Sequence, residues 1–456
     1  MIVFNNLIFQ KGMVPLLIVS FLFSAVIVSC QSSPTEVGSA SATPISEVTP
    51  TKLASQTTVS RATPTVTPTA TPEGTPLKLT FWTIESISPD AEGEAGNFIG
   101  NSLRAFERAH PEIDVQLQLK KATGKGGVVD FLRTAKNVAP TVLPDVAVMN
   151  ATDLNQAFTE SLIQPLDGRL DRSVVQDLLP AARRIGTVSD KLVAVPLGLE
   201  MEHQVYNTTV FTATPLLWTD VLSSNTRYLF PAKGINGLVN DHTLAQYFSA
   251  GGTFEDDQGT PKIDEVALRL VLEFYHQAVE NNVIDASILE AATTEELWPT
   301  YLQGQAGLTQ ISVKQYLTDR DQLNSSMYAP ISVRDEQDIP IAITNGWVLV
   351  LVTGDPARQK AALNLMEWFL STNNNATWNN INQSIPSRDT AYQQLAGDDP
   401  YWEFLTDQLN TARPHPRFAG YDQIGRILQQ AVQQVINGEA TPDEATATAI
   451  DALTLP

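Results

Sequence analysis

Between Leu77 and Met149 the chain runs strand, helix, strand, helix, strand, and that order restricts it to an α/β fold built on parallel strands. Leu77-Lys78-Leu79-Thr80-Phe81-Trp82 alternates apolar with polar residues and carries two aromatics. A helix with Leu103 and Phe106 on one face follows and is closed by Pro111. Ile113, Val115, Leu117 and Leu119 alternate as a second strand. Pro144-Asp145-Val146-Ala147-Val148-Met149 is apolar without a break, which suits a strand covered on both faces. Further on, Asp264 can cap a helix bearing Ala267, Leu270, Val271, Phe274 and Ala278, and Asp355-Pro356 opens another before Ala361, Leu365, Trp368 and Phe369. Ile424, Ile427, Leu428, Ala431, Val432 and Val435 form a third stripe ended by Asn437-Gly438, and Thr441-Pro442-Asp443-Glu444 has the pattern of a capping box.

The stretch DKLVAVPLGLEMEHQVYN, residues 190–207, breaks this regularity. Leu192, Val193 and Val195 favour a strand, but Pro196 and Gly198 interrupt it. Glu200, Glu202 and His203 then precede Val205 and Tyr206. A proline and a glycine at such a point can end a ladder and let the chain bend.

At the N-terminus, Lys11 precedes an apolar run from Val14 to Val28, too short for a confident membrane span and about right for a signal peptide. It ends in Ile27-Val28-Ser29-Cys30, which resembles the lipobox of bacterial lipoproteins; Cys30 is the only cysteine of the 456 residues. A lone thiol gives an exported domain no disulfide, so its position points to lipid attachment, with an incidental cysteine after an ordinary signal peptide as the alternative. Gln31 to Pro76 is rich in Ser, Thr, Ala and Pro, has too little apolar surface to fold, and reads as an extended tether. A net charge of −21 and a pI near 4.6 argue against nucleic acid or anionic lipid headgroups as partners.

From Leu77 to Leu455 the order of segments resembles the extracellular solute-binding proteins of ABC importers, the carbohydrate-type family that includes maltose-binding protein. LTFWTI, FERAHPEIDVQLQ, LPDVAVMN, LIQPLD and the 190–207 stretch carry the likeness in the first half. AGGTFEDDQG, GQAGLTQIS, ITNGWVLVLV with ARQKAALNLMEWFLS, and SIPSR continue it in the same order. The resemblance implies a two-lobe periplasmic-binding-protein-like fold, each lobe a mixed, mostly parallel sheet flanked by helices, joined by hinge crossovers. Residues 1–30 would be the lipoprotein signal peptide and 31–76 the tether. Residues 77–199 with 346–410 would form the first lobe, and 200–345 with 411–456 the second. Residues 190–207 would be the first crossover, with Glu200, Glu202 and His203 on the cleft floor.

A sugar offers hydroxyls that carboxylates can accept from and C–H faces on which indole or phenol rings stack. Ligands in such folds lie beyond the carboxyl ends of strands. Trp82, Thr83 and Glu85 leave the first strand there, Trp82 serving equally well as a core aromatic. Asn150 and Asp153 leave the third strand, Asp153 serving equally well as a helix cap. The resemblance adds Glu200 as a ligand carboxylate, Asn345, Gly346 and Trp347 at the second crossover, and Lys314, Arg413 and Tyr421. Relatives often carry Gly-x-Trp after the strand matched by GQAGLTQIS. This chain has Gln310-Ile311-Ser312-Val313, which points away from a long glucan.

No Gly-x-Ser-x-Gly elbow, His-Glu-x-x-His helix or Walker loop occurs, and the five histidines lack metal-ligand spacing, so neither enzyme chemistry nor a cofactor or metal is expected. The expected protein is a monomer, lipid-anchored on the extracellular face of the cell membrane. It would close its hinge on a mono- or oligosaccharide and deliver it to an ABC permease. The same fold binding a polyamine or short peptide, and a surface glycoside hydrolase with carboxyls roughly 5–10 Å apart, are the alternatives.

Overall fold

The computed structural model describes residues 75–256 and 258–454; Cys30, the signal peptide and the tether lie outside the described residues. The strands, in chain order, are β1 Leu77–Thr83, β2 Ile113–Leu119, β3 Val146–Asn150, β4 Thr187–Val188, β5 Lys191–Leu192, β6 Ala194–Pro196, β7 Glu200–Asn207, β8 Tyr228–Leu229, β9 Leu308–Ser312, β10 Ser326–Ala329, β11 Ile343–Asn345, β12 Trp347–Leu351 and β13 Arg413–Pro414. They form a first sheet of order β2-β1-β3-β12-β6 and a second of order β13-β11-β7-β9-β8, with β10 also on β7 and β4-β5 a separate pair.

The two sheets are the cores of two lobes. Val146 to Met149 are wholly buried, as their unbroken apolar run requires of a central strand. Just ahead of them the Asp145 carboxylate is buried. It accepts from the Thr80 backbone N–H at 2.8 Å and from Arg358 Nε at 2.7 Å, so the Pro-Asp-Val segment ties two strands to the helix Pro356–Phe369. The caps form where the sequence places them. Asp264 accepts from Ala267 N, Asp355 from Ala357 N and Arg358 N, and Thr441 and Glu444 bond reciprocally. Gly438 follows the helix Tyr421–Ile436 in the left-handed conformation.

Parallel pairing, expected to dominate, is confined to β1 with β2 and β3, β8 with β9, and β11 with β13. The strands that adjoin the crossovers pair antiparallel across them, β7 with β11 and β9, and β12 with β3 and β6, because the chain re-enters each lobe from the other.

Pro196 ends β6 on the edge of the first sheet, and Glu200 begins β7 in the second. The bridging Leu197-Gly198-Leu199 is braced by the first lobe. Asn375 and Asn379 both donate to Leu197 O, and Leu199 exchanges backbone hydrogen bonds with Ile385. Gly198 is required by close approach, since a Cβ there would lie 2.0 Å from Asn379 Oδ1. The second crossover is Gly346 alone, between β11 and β12, and a Cβ on it would lie 2.4 Å from Gly198 O. The two crossovers thus touch backbone to backbone, which fixes the floor from which both lobes rise. A further passage near Gly397 leads into the helix Pro400–Thr411, whose Tyr401 and Phe404 pack on His203 and Tyr328 of the second sheet.

Candidate ligand-binding cleft

Alternation along β7 turns Glu200, Glu202 and Gln204 to one face and Met201, His203 and Val205 to the other. Glu200 sits at the crossover, paired across the ladder with Asn345. It reaches water, yet protein crowds its other sides. That loss of solvent raises its carboxyl, Lys314 opposing the shift and Glu295 adding to it. Glu202 pairs with Ser312 of β9. Burial pushes its carboxyl up to about 8, the Asp241 and Glu295 carboxylates adding to the rise and the Gln310 amide opposing it. Its Oε2 is buried with no hydrogen-bond partner.

The neighbours come from helix starts. Asp241 opens the helix Asp241–Ser249 after the Asn240 cap, and Glu295 lies in the first turn of the helix Thr294–Leu302. Ser312 accepts from Gln315 N as a cap and donates to Glu295 Oε1 at 3.2 Å. Lys314 is exposed in the turn that follows. His415 Nε2 lies 3.3 Å from Asp241 Oδ2. Burial alone would lower the imidazole, but Asp241 outweighs it and raises its pKa, with Arg417 pulling back.

Facing these, the first lobe contributes the end of β3 and the start of β12, where Trp347 pairs with Asn150 and is half-buried. Asp153 is half-buried beyond β3, and burial raises its carboxyl. Arg417 links the lobes. From the segment after β13 its guanidinium donates to the carbonyls of Ile185 at 2.6 Å, Arg184 at 3.0 Å, Thr187 at 3.1 Å and Ala151 at 3.4 Å. Burial among carbonyls lowers its pKa to about 10.

A family model described as bacterial extracellular solute-binding protein matches residues 101–404. The chain belongs to that family. Solved structures agree on the fold. The cyclic α-maltosyl-1,6-maltose binding protein of Arthrobacter globiformis is 18% identical at a TM-score of 0.68, with 83% of this chain and 98% of that one covered. The sugar-binding protein MalE of Xanthomonas citri is 16% identical at 0.66, with 82% and 96% covered. An ABC transporter solute-binding protein of Thermotoga lettingae bound with α-D-tagatose is 19% identical at 0.61, with 82% and 98% covered. No curated protein sequence matches significantly.

Within this solute-binding architecture the expected residues divide. Glu200, Glu202, Lys314 and Asn345 gather on the second-lobe wall, Gly346, Trp347 and Asn150 lie together at the second crossover, and Asp153 stands apart beyond β3. His203 does not reach the cleft floor. It lies on the opposite face of β7, its Nδ1–H donating to Gln204 O at 2.9 Å and its Nε2 accepting from Tyr401 at 2.8 Å, and burial lowers its pKa to about 4. Trp82 takes its core alternative: it is buried, its Nε1–H donates to Gln118 Oε1 at 3.0 Å, and the Lys120 ammonium lies 4.5 Å above the ring. Thr83 is also buried and donates to Ile87 O at 2.6 Å, while Glu85 is exposed on the turn after β1. Asn150, and not Asp153, caps the next turn by accepting from Thr152 N. Tyr421 is buried against Phe254 and Phe418 at the start of its helix, near enough to Asp241 for that charge to add to the rise that burial imposes on its phenol. Arg413 is exposed, with its guanidinium 4.9 Å over the Phe248 ring. Asp241, Glu295, His415 and Arg417 were not expected. The first two carry a signal, an acidic residue in the first turn of a capped or Thr-led helix, and the last two carry none beyond the segment HPRF.

Proposed function

We propose that this chain is the substrate-binding component of an ABC importer. It captures a small solute, a mono- or oligosaccharide, by hinge closure and hands it to a membrane permease. The observation that carries the proposal is the position of Glu200. Its carboxylate stands at the junction of both crossovers, open to water and only partly offset by Lys314, where a solute lying between the lobes can donate hydroxyls to it. Relatives of the same fold are described as binding maltose-type sugars or tagatose, and Trp347 offers a half-buried indole nearby for a sugar face. Contacts to both lobes at once would favour the closed form by differential affinity. We further propose that Cys30 carries a lipid and that residues 31–76 hold the folded part off the membrane. Crossovers at Gly198 and Gly346 would divide the lobes near 199/200 and 345/346.

Titration calorimetry against maltose, maltotriose and a monosaccharide panel, with small-angle scattering of the same samples, tests the proposal. Saturable binding with compaction supports it. No binding or no compaction with any sugar refutes it, and release of reducing sugar during the titration would make the protein a hydrolase. Mass analysis of the Cys30 peptide from membranes decides the anchor.

A further inference from the structure

We propose that the second-lobe wall is an ammonium subsite, in which Glu202, Glu295 and Asp241 receive a protonated primary amine of the captured solute. The inference rests on the cleft being the capture site. Four carboxylates converge there: Glu200, Glu202, Glu295 and Asp241, the charges of the last two both acting on Glu202. Two basic side chains lie against them. Lys314 acts on Glu200 from the surface, and His415 pairs with Asp241. Glu295 accepts the Ser312 hydroxyl through Oε1 and the Thr294 hydroxyl through Oε2, whereas nothing in the described chain bonds Glu202 Oε2, which is nonetheless buried. A buried carboxyl oxygen without a hydrogen-bond partner costs stability and needs an explanation. A ligand N–H supplies one.

The aromatic side of the cleft points the same way. Of the rings expected to stack on a sugar face, Trp82 and Tyr421 are buried, and no aromatic stands in Gln310-Ile311-Ser312-Val313. Trp347 is the expected ring left half-buried, while the second-lobe wall is made of carboxylates. Such a wall selects charge and donors more than carbohydrate surface. An ammonium group brings three donors and a positive charge, whereas a hydroxyl brings one donor. The carboxyl of Glu202 is held protonated at neutral pH by burial and its acidic neighbours. A cation placed against it reverses that balance: the O–H bond breaks, the proton passes to buffer, and a carboxylate–ammonium pair remains. Binding is therefore expected to release close to one proton.

Calorimetry of the full chain at pH 7, in two buffers of different ionisation heat, tests this with a glucosamine disaccharide, its N-acetylated counterpart, spermidine and maltose. The amine disaccharide is expected to bind about 10-fold or more tighter than the N-acetylated one, with proton release. Glu202→Gln and, separately, Glu295→Gln should bring that ratio toward one and remove the release; the second variant covers the case that the first misfolds. Tight spermidine with weak disaccharides supports the subsite and names a linear polyamine as its source. Equal affinity for the two disaccharides together with weak spermidine, or a preference that neither substitution changes, overturns the subsite. If maltose compacts the chain and no amine probe binds, the subsite alone fails. If amines bind without compaction, capture by closure fails and the subsite stands.

Discussion

Trp82, Thr83 and Asn150 leave the strand ends of the first lobe with their polar atoms already bonded within that lobe. Glu200 and Glu202 stand on the second lobe with carboxyls that the protein crowds, and Oε2 of Glu202 has no hydrogen-bond partner among the described residues. Both walls grow from strand or helix termini, so topology alone does not separate them. What separates them is parity along a strand and the number of remote segments that arrive. The first-lobe ends are closed by their own turns or, for Trp82, by the adjacent strand β2, whereas the second-lobe wall collects β7, β9 and two helix starts with like charges. The buried, unpartnered oxygen of that wall, Glu202 Oε2, destabilises the free protein and is offset only when a ligand supplies a partner.

The sharpest way to break the contrast is to remove the groups proposed to contact solute from both sides. Glu200→Ala combined with Trp347→Ala should weaken the best-bound solute about 100- to 1000-fold, roughly 3–4 kcal/mol, and abolish compaction in scattering. Binding unchanged by the double substitution would place the solute elsewhere. Next in size is Arg417→Ala, which leaves carbonyls of Arg184, Ile185 and Thr187 without their shared donor. A loss of about 2–3 kcal/mol in urea unfolding is expected. Arg417→Lys should recover only part of it, because an ammonium lacks the planar fork that reaches several carbonyls at once.

Much of the first lobe was legible because its signals are local: alternation in β1 and β2, the unbroken run of β3, and the caps at Asp264, Asp355 and Thr441. The first crossover was legible too, since Pro196 and Gly198 mark it. The side chains of β7 were not. The strand starts at Glu200, where Asn345 of β11 arrives to pair with it, and that remote partner decides whether Glu202 or His203 faces the cleft. Asp241, Glu295 and the pair His415 and Arg417 come from three separated segments that meet only after the chain has crossed between lobes. Nothing in their local sequence tells a cleft carboxylate from an ordinary helix-start acid.

A pH series probes the cost of the second-lobe wall. The Glu202 carboxyl titrates in the folded protein above its ordinary value of 4.5, near 8. Below pH 4.5 both folded and unfolded chains hold the proton. As pH rises through this window the unfolded chain releases a proton that the folded one keeps, and the contribution to stability is lost progressively up to about pH 8. Glu202→Gln should therefore stabilise the protein by about 1–2 kcal/mol at pH 8 and by nearly nothing at pH 4, flattening the curve. Equal stabilisation at both pH values would mean that the carboxyl ionises freely and that its wall is solvated.

The smallest expected effect checks the other half of the contrast. If Trp82 serves the first lobe and not the solute, Trp82→Phe removes the hydrogen bond to Gln118 and some buried ring while keeping an aromatic under the Lys120 ammonium. About 1 kcal/mol of stability should go, read as a lower melting temperature, with solute affinity within about twofold. Loss of affinity without loss of stability would bring the first-lobe wall into the site. The asymmetry would then lie in charge alone, because both lobes would present side chains held ready for a ligand.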